Sequence, residues 1–234
     1  MPAEPARDIQ IEALLVGQVA PLGPKAKPSG IAKFPVDGPR RAHATGIEDD
    51  QQADLKNHGG RDKAVHHYPR DHYADWLAEL PHAPEILKHP GAFGENISTR
   101  GLTEADVCVG DIYSVGDALF EVSQARQPCW KLNARFEHKA MAMAVQTTRR
   151  TGWYYRVLRE GEIAAGDTLR LQERPHADWP LTRLISIIYD KSKDASDLRA
   201  MAELEVLASS WRALAQKRLD SNRVEDWGSR LGTD

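Results

Sequence analysis

The chain has 234 residues, 41% apolar and 28% charged, enough for one large domain or one domain with a small appendage. Its 31 Lys and Arg nearly balance 34 Asp and Glu, and the net charge of -3 gives no electrostatic case for a duplex nucleic-acid or anionic-membrane partner. Two cysteines, Cys108 and Cys129, supply neither a disulfide framework nor the four thiolates of an ordinary iron–sulfur cluster.

The opening Met-Pro-Ala-Glu-Pro carries no basic leader followed by an apolar run, and no stretch approaches the roughly 18 apolar residues of a membrane span. A soluble, cytoplasmic protein is expected. From Ile9 to about Leu171, short β-type runs are separated by Gly, Pro, Asp and Asn turns. They are Ile9 to Val19, Ala32 to Val36, Ala64 to Tyr68, Ala92 to Ser98, Asp111 to Val115, Ala118 to Ser123, Trp153 to Leu158 and Asp167 to Leu171. So many short strands predict a barrel or a strongly bent sheet. Among them lie helical patterns at about Arg70 to Leu80, at Pro84 to Leu87, and from Cys129 through Phe136 toward Val145.

Glu173-Arg174-Pro175-His176 reads as a linker, after which the period becomes helical. Leu181, Leu184, Ile185 and Ile188 share one face, as do Leu198, Met201, Leu204 and Leu207, and then Trp211, Leu214, Ala215 and Leu219. Asp178-Trp179-Pro180 and Ser196-Asp197 are the expected caps of the first two helices. The predicted fold is α+β: a β-barrel-like domain over residues 1–174 and a small three-helix domain over 175–234. Lys and Arg balance Asp and Glu between residues 180 and 234, so those helices are expected to dock on the barrel or make a homodimer rather than bind nucleic acid.

Three segments carry chemistry. In Asn57-His58-Gly59-Gly60-Arg61-Asp62-Lys63, glycines able to adopt φ > 0 let backbone N–H groups converge on an anion while Arg61 or Lys63 adds charge. In Gln124-Ala125-Arg126-Gln127-Pro128-Cys129-Trp130-Lys131, a cysteine stands where a helix begins, between two cations, an arrangement that favours a thiolate able to ligate a soft metal or act as a nucleophile. In Gly91-Ala92-Phe93-Gly94-Glu95-Asn96, the glycines permit close backbone approach and Asn96 offers an amide to a heterocycle edge. Cys108, in an apolar run, is expected to be plain core, as are Trp76, Trp153 and Trp211, whereas Trp130 is the tryptophan expected to line a substrate pocket.

Together with Lys33 in Gly-Ile-Ala-Lys-Phe-Pro-Val, these segments resemble the MOSC domain of the YiiM-like 6-N-hydroxylaminopurine reductase type, over about residues 10 to 220. The resemblance implies a molybdenum cofactor (molybdopterin), with Cys129 at the position of the metal ligand. Lys33, His58, Gly59, Gly60, Arg61 and Arg126 then fall on the phosphate and pterin side, with Asn57, Asn96 and Asn133 as further contacts. His58 or Glu95 would supply protons. The implied reaction reduces the N–O bond of a small N-hydroxylated substrate. Electrons must come from an external flavin or iron–sulfur protein, because no Gly-rich dinucleotide fingerprint is present. The alternative is a sulfur carrier holding a persulfide on Cys129. A hydrolase with a metal held by His58, His66, His67 and His72 is disfavoured, because adjacent strand residues His66 and His67 must face opposite ways.

Overall fold

The computed structural model describes residues 8–80 and 84–232; the Met1–Pro5 opening considered above lies outside them. In chain order the elements are β1 (Ile9–Val16), β2 (Ala20–Leu22), β3 (Lys27–Ser29), β4 (Phe34–Pro35), β5 (Arg40–His43), β6 (Gly46–Ile47), α1 (Leu55–His58), β7 (Val65–Pro69), α2 (Asp71–Glu79) and β8 (Ile97–Thr99). Then follow β9 (Ile112–Val115), β10 (Ala118–Ala125), α3 (Trp130–Arg135), α4 (Met141–Thr148), β11 (Trp153–Arg159), β12 (Gly161–Ile163), β13 (Thr168–Glu173), α5 (Leu181–Tyr189), α6 (Ala195–Glu203), α7 (Ser209–Ser221) and α8 (Gly228–Leu231).

The strands run β13-β9-β10-β11-β7-β8-β1, and β1 pairs back onto β13 through Ile9 and Leu169, so the sheet closes into a seven-stranded barrel. β4 hangs on the edge of β1. The fold is α+β with a barrel and C-terminal helices, as the strand and helix periods predict. Ile9 and Ile11 of β1 point inward while Gln10 and Glu12 are exposed, and Ala118, Phe120 and Val122 alternate likewise along β10. The β7–β8 pair is parallel, which demands a long crossover; α2 and the turn ahead of β8 supply it.

Two expectations need correction. The strand predicted from Ala92 contracts to Ile97–Thr99, because the carboxylate of Glu95 ties the preceding residues into a turn. The helix predicted from Cys129 toward Val145 is two helices, broken where Glu137 adopts φ 51, and the Asn133 side chain accepts the N–H of Ala142 at the start of the second. The hairpin of β2 and β3 and the three-stranded set of β5, β6 and β12 escape the sequence patterns altogether.

The caps also differ in detail. Pro180 itself occupies the cap of α5, and Asp194 rather than Ser196 caps α6 by accepting the N–H of Asp197 at 2.9 Å. The predicted linker is tied down: Arg174 makes a forked pair with the fully buried Asp111. Leu181, Leu184, Ile185, Ile188 and Trp211 share one continuous apolar cluster with Val107, Val122 and Trp153 of the barrel. A second, aromatic cluster lies between α2, α3 and α4, where Tyr68 and Phe93 stack with centroids 3.9 Å apart.

Because barrel and helices share a core, Leu184→Ala, at a position with no exposure, is expected to cost about 2–5 kcal/mol. Urea melts followed by far-UV circular dichroism and by tryptophan fluorescence should still coincide; two separate transitions would show that the helices unfold on their own.

Candidate active site

A small cavity collects its wall from distant stretches of chain. Ser29 ends β3 and Gly30, Ile31 and Lys33 follow it, His58 and Lys63 come from the α1 region, His66 from β7, Phe93, Gly94 and Asn96 from the turn ahead of β8, Arg126, Cys129 and Lys131 from the β10–α3 junction, and Tyr154 from β11. Gly94 adopts φ 77, and a Cβ there would stand 2.8 Å from Ile31 Cγ1, so this wall closes only around glycine.

Cys129 holds the N-cap position of α3 with extended backbone and is 8% exposed. Its Sγ lies 3.4 Å from Nε2 of His58, whose Nδ1 lies 3.4 Å from Asp54 Oδ2 without the alignment of a hydrogen bond. Burial, helped by the charge of Lys131, pushes the His58 imidazole down to about 4 against the opposing pull of Asp54. At neutral pH His58 is therefore an uncharged partner for the thiol and not a store of protons.

The wall is cationic. Lys33 pairs with Asp50 in nearly complete burial, and the burial pulls the pKa of the ammonium below its ordinary value although Asp50 works against the shift. Lys63 donates to the Asn57 carbonyl at 2.5 Å and is likewise lowered by burial. Arg126, 5% exposed, keeps one guanidinium nitrogen without a partner among the described residues, and so does Nε2 of His66, 4% exposed. A buried donor left unmatched is costly, and the Arg126 guanidinium at this cavity calls for a ligand with acceptor atoms.

Of the residues singled out in the sequence, Lys33, His58, Asn96, Arg126 and Cys129 meet at this cavity. Others do not. Asn57, Gly60 and Arg61 are exposed, and the short 3-10 turn Arg61–Lys63 delivers its last residue to the wall, not its first. Gly60 alone of the glycine pair needs a positive φ; Gly59 is extended. Glu95 is fully buried behind the wall, its carboxylate accepting the N–H groups of Gly91 and Phe93 and the hydroxyl of Tyr73 at 2.5 to 3.0 Å, so it shapes the turn and presents no proton to the cavity. Asn133 accepts the N–H of Ala142 in the first turn of α4 and donates to Leu231 O at 2.8 Å. Trp130 lines a separate open groove with Leu22, Lys25 and Lys27.

The sequence reading passed over Asp50, whose carboxylate binds Lys33, the Asn96 amide at 3.0 Å and the Gly17 N–H at 2.9 Å. It lies in a Glu-Asp-Asp run that reads as solvated loop, and only the folded chain sets it beside Lys33. Tyr154 and His66 belong to strands recognised as such, but their facing toward the cavity depends on register. His67, by contrast, faces the barrel interior, 3.0 Å from the Tyr155 hydroxyl and 2.8 Å from Thr99 Oγ1, and His72 pairs with Glu104. The four histidines are thus dispersed, and among the described residues no group of three or more His, Cys, Asp or Glu is arranged to hold a metal ion. Cys108 packs in the core, its thiol pushed up to about 11 by burial and Asp111. No helix among the described residues is long and apolar enough to cross a membrane.

Comparison with known proteins agrees with this layout. The MOSC domain family matches residues 54–170, and the family described as the YiiM-like, 3-alpha helix domain matches residues 179–222. The chain is 41% identical to Protein YiiM of Escherichia coli over 89% of its own length and 92% of that protein. It is 40% identical to a protein of Gibberella moniliformis named Reductase, over 82% of this chain but only 34% of that longer one. The crystal structure of YiiM from Escherichia coli superposes with a TM-score of 0.77 at 36% identity, covering 92% of this chain and 98% of that one. YiiM from Geobacillus stearothermophilus gives 0.76 at 35%, covering 90% and 99%.

Two predictions follow from the charges. Glu95→Gln turns an amide N–H toward backbone N–H groups and should cost about 1–3 kcal/mol of stability in thermal or urea melts; an unchanged midpoint would deny the turn its anchor. His58, His66 and His67 all titrate below the ordinary imidazole value because they are buried. The unfolded chain therefore binds more protons below about pH 6.5, and stability must fall as pH drops from there toward about 4. The urea midpoint should decline between about pH 7 and pH 5, with a shallower decline in His67→Gln; a flat profile would contradict the burial of these rings.

Proposed function

Because the chain belongs to the MOSC-domain family, in its YiiM-like branch, we propose that it is a molybdenum-cofactor-dependent reductase of small N-hydroxylated compounds, 6-N-hydroxylaminopurine among them. The observation that carries this reading is one cavity lined by Cys129, by Arg126 with a guanidinium nitrogen unmatched among the described residues, and by Lys33, Lys63 and Lys131. The relative named Reductase supports the oxidoreductase class.

The donor set fits the cofactor that the family implies. Cys129 is the soft ligand for the metal, and Arg126 with the lysines meets an anionic phosphate. The cavity volume is about 40 Å³, room for a small oxyanion and not for a whole pterin, so loading requires the walls to part. When bound, the cofactor supplies the two-electron reducing centre. The overall change is R–NHOH plus two electrons and two protons to R–NH2 and water, with electrons from an external flavin or iron–sulfur protein.

The chain's own residues account for binding and protons. Arg126 and Lys131 hold negative charge at the inner wall, and neutral His58 keeps the Cys129 sulfur in place through Nε2. A proton for the leaving water comes from Nζ of Lys63, which burial makes more acidic than free lysine, whereas the Lys33 ammonium is committed to Asp50. Glu95 takes no part, because its carboxylate is committed to Gly91, Phe93 and Tyr73.

The test is the molybdenum and phosphorus content of wild type and Cys129→Ser from a molybdopterin-competent host, with donor-driven reduction of 6-N-hydroxylaminopurine. Wild type should carry molybdenum and reduce the substrate, and the variant should lose activity. A wild type without molybdenum in that host would overturn the reading and turn attention to persulfide transfer by Cys129.

A further inference from the structure

The turn from Arg126 to Cys129 is held from outside the barrel. Tyr189, at the end of α5, donates its hydroxyl to the Arg126 carbonyl at 3.2 Å, and is itself 9% exposed. Arg230, in α8, donates one guanidinium nitrogen to the Pro128 carbonyl and the other to Gln146 Oε1 of α4 at 2.6 Å. The carbonyls on both sides of Gln127, and the residue immediately before Cys129, are therefore fixed by side chains that follow residue 180.

Residues 223–232 lie beyond both stretches matched by the two families, yet they are built into the protein as a strap. Glu225 forms a forked pair with the buried Arg218 of α7 and accepts the Trp227 indole N–H at 2.7 Å. Trp227 meets the Tyr189 ring edge-on at 6.1 Å, and the guanidinium of Arg230 lies 5.8 Å from its centroid. Leu231 is buried in the aromatic cluster, and its carbonyl takes the Asn133 amide. The strap is thus anchored on α7 at one end and on α3 and α4 at the other, with Arg230 aimed at the cysteine turn between them.

We propose that Tyr189 and Arg230 are positioning residues for Cys129: the C-terminal helices and their strap set the backbone of the Arg126–Cys129 turn and so the placement of Sγ in the cavity. Its functional meaning rests on Cys129 being the reactive residue, but the placement is measurable without cofactor or substrate. Neither residue lines the cavity; Tyr189 acts through the turn, whereas Arg230 also bears its charge on Cys129, a charge that Arg230→Lys keeps. Loss of either bond frees a carbonyl and lets the sulfur, now held at 8% exposure against His58, swing toward solvent.

The experiment alkylates cofactor-free wild type, Tyr189→Phe, Arg230→Ala and Arg230→Lys with iodoacetamide and follows Cys129 and Cys108 separately by peptide mass spectrometry. Tyr189→Phe removes one oxygen and leaves the ring in the core, so it reports even if Arg230→Ala folds poorly. Cys129 should react about fivefold faster or more in Tyr189→Phe and Arg230→Ala, with Arg230→Lys between them and wild type, and Cys108 should stay as slow as in wild type. Cys129 rates within about twofold of wild type in folded variants would overturn the proposal, as would equal acceleration of Cys108, which would mean general loosening. A protein that shows the positioning effect yet binds no molybdenum would sink the proposed function alone.

Discussion

The carboxylate of Asp50 sits 3% exposed between the ammonium of Lys33, the side-chain amide of Asn96 and the N–H of Gly17. Asn96 extends the arrangement by accepting the His66 N–H at 3.1 Å and donating to the Leu15 carbonyl at 3.1 Å. One buried negative charge therefore joins β1, the segment before β4, the turn ahead of β8 and the start of β7. Its energetic stake is large: a buried ion pair adds little net stability when intact, but removing one partner strands the other charge at roughly 3–5 kcal/mol. The cavity wall is built outward from this point, and the cations that face inward are tolerable there because this one is already neutralised.

The same division runs through the site as a whole. Groups that shape it are saturated with bonds, as Glu95 is with two backbone N–H groups and a tyrosine hydroxyl. Arg126, which faces the cavity, is left short of a partner among the described residues. Saturation gives rigidity, and the remaining deficit gives affinity for something brought from outside. The histidines divide as well: His67 is spent on Thr99 and Tyr155 inside the barrel, whereas His66, one residue earlier on the opposite face, lines the cavity.

Much of this was legible in the sequence where the signal is local. Alternation along Ile9–Val16 and Ala118–Ala125, and the helical spacing of Leu181 to Ile188, mark elements whose burial matches their period. Cys129 and Arg126 stand three residues apart at a strand–helix junction, so their chemistry reads directly from the string. What stayed hidden depends on partners far away in the chain. β5 is stabilised by pairing with β12, more than a hundred residues on, β6 pairs in turn on β5, and both carry almost no apolar pattern of their own. Glu95 looked like a proton donor because an acidic side chain beside glycines is ambiguous until its hydrogen-bond partners are known. Arg61 and Lys63 were interchangeable as letters, and only the short turn that contains them decides which one enters.

Closure of the barrel has a temporal side. β1 lies at the start of the described chain and completes its pairing only with β13, through Ile9 with Leu169 and Gln10 with Thr168. During synthesis the first strand must wait until nearly the whole barrel domain has left the ribosome. Contacts so remote in sequence carry a large loop-closure cost and make for slow folding. The strap that holds the cysteine turn follows β13 in the chain, so the turn gains its anchor at Pro128 only after every strand of the barrel has been made.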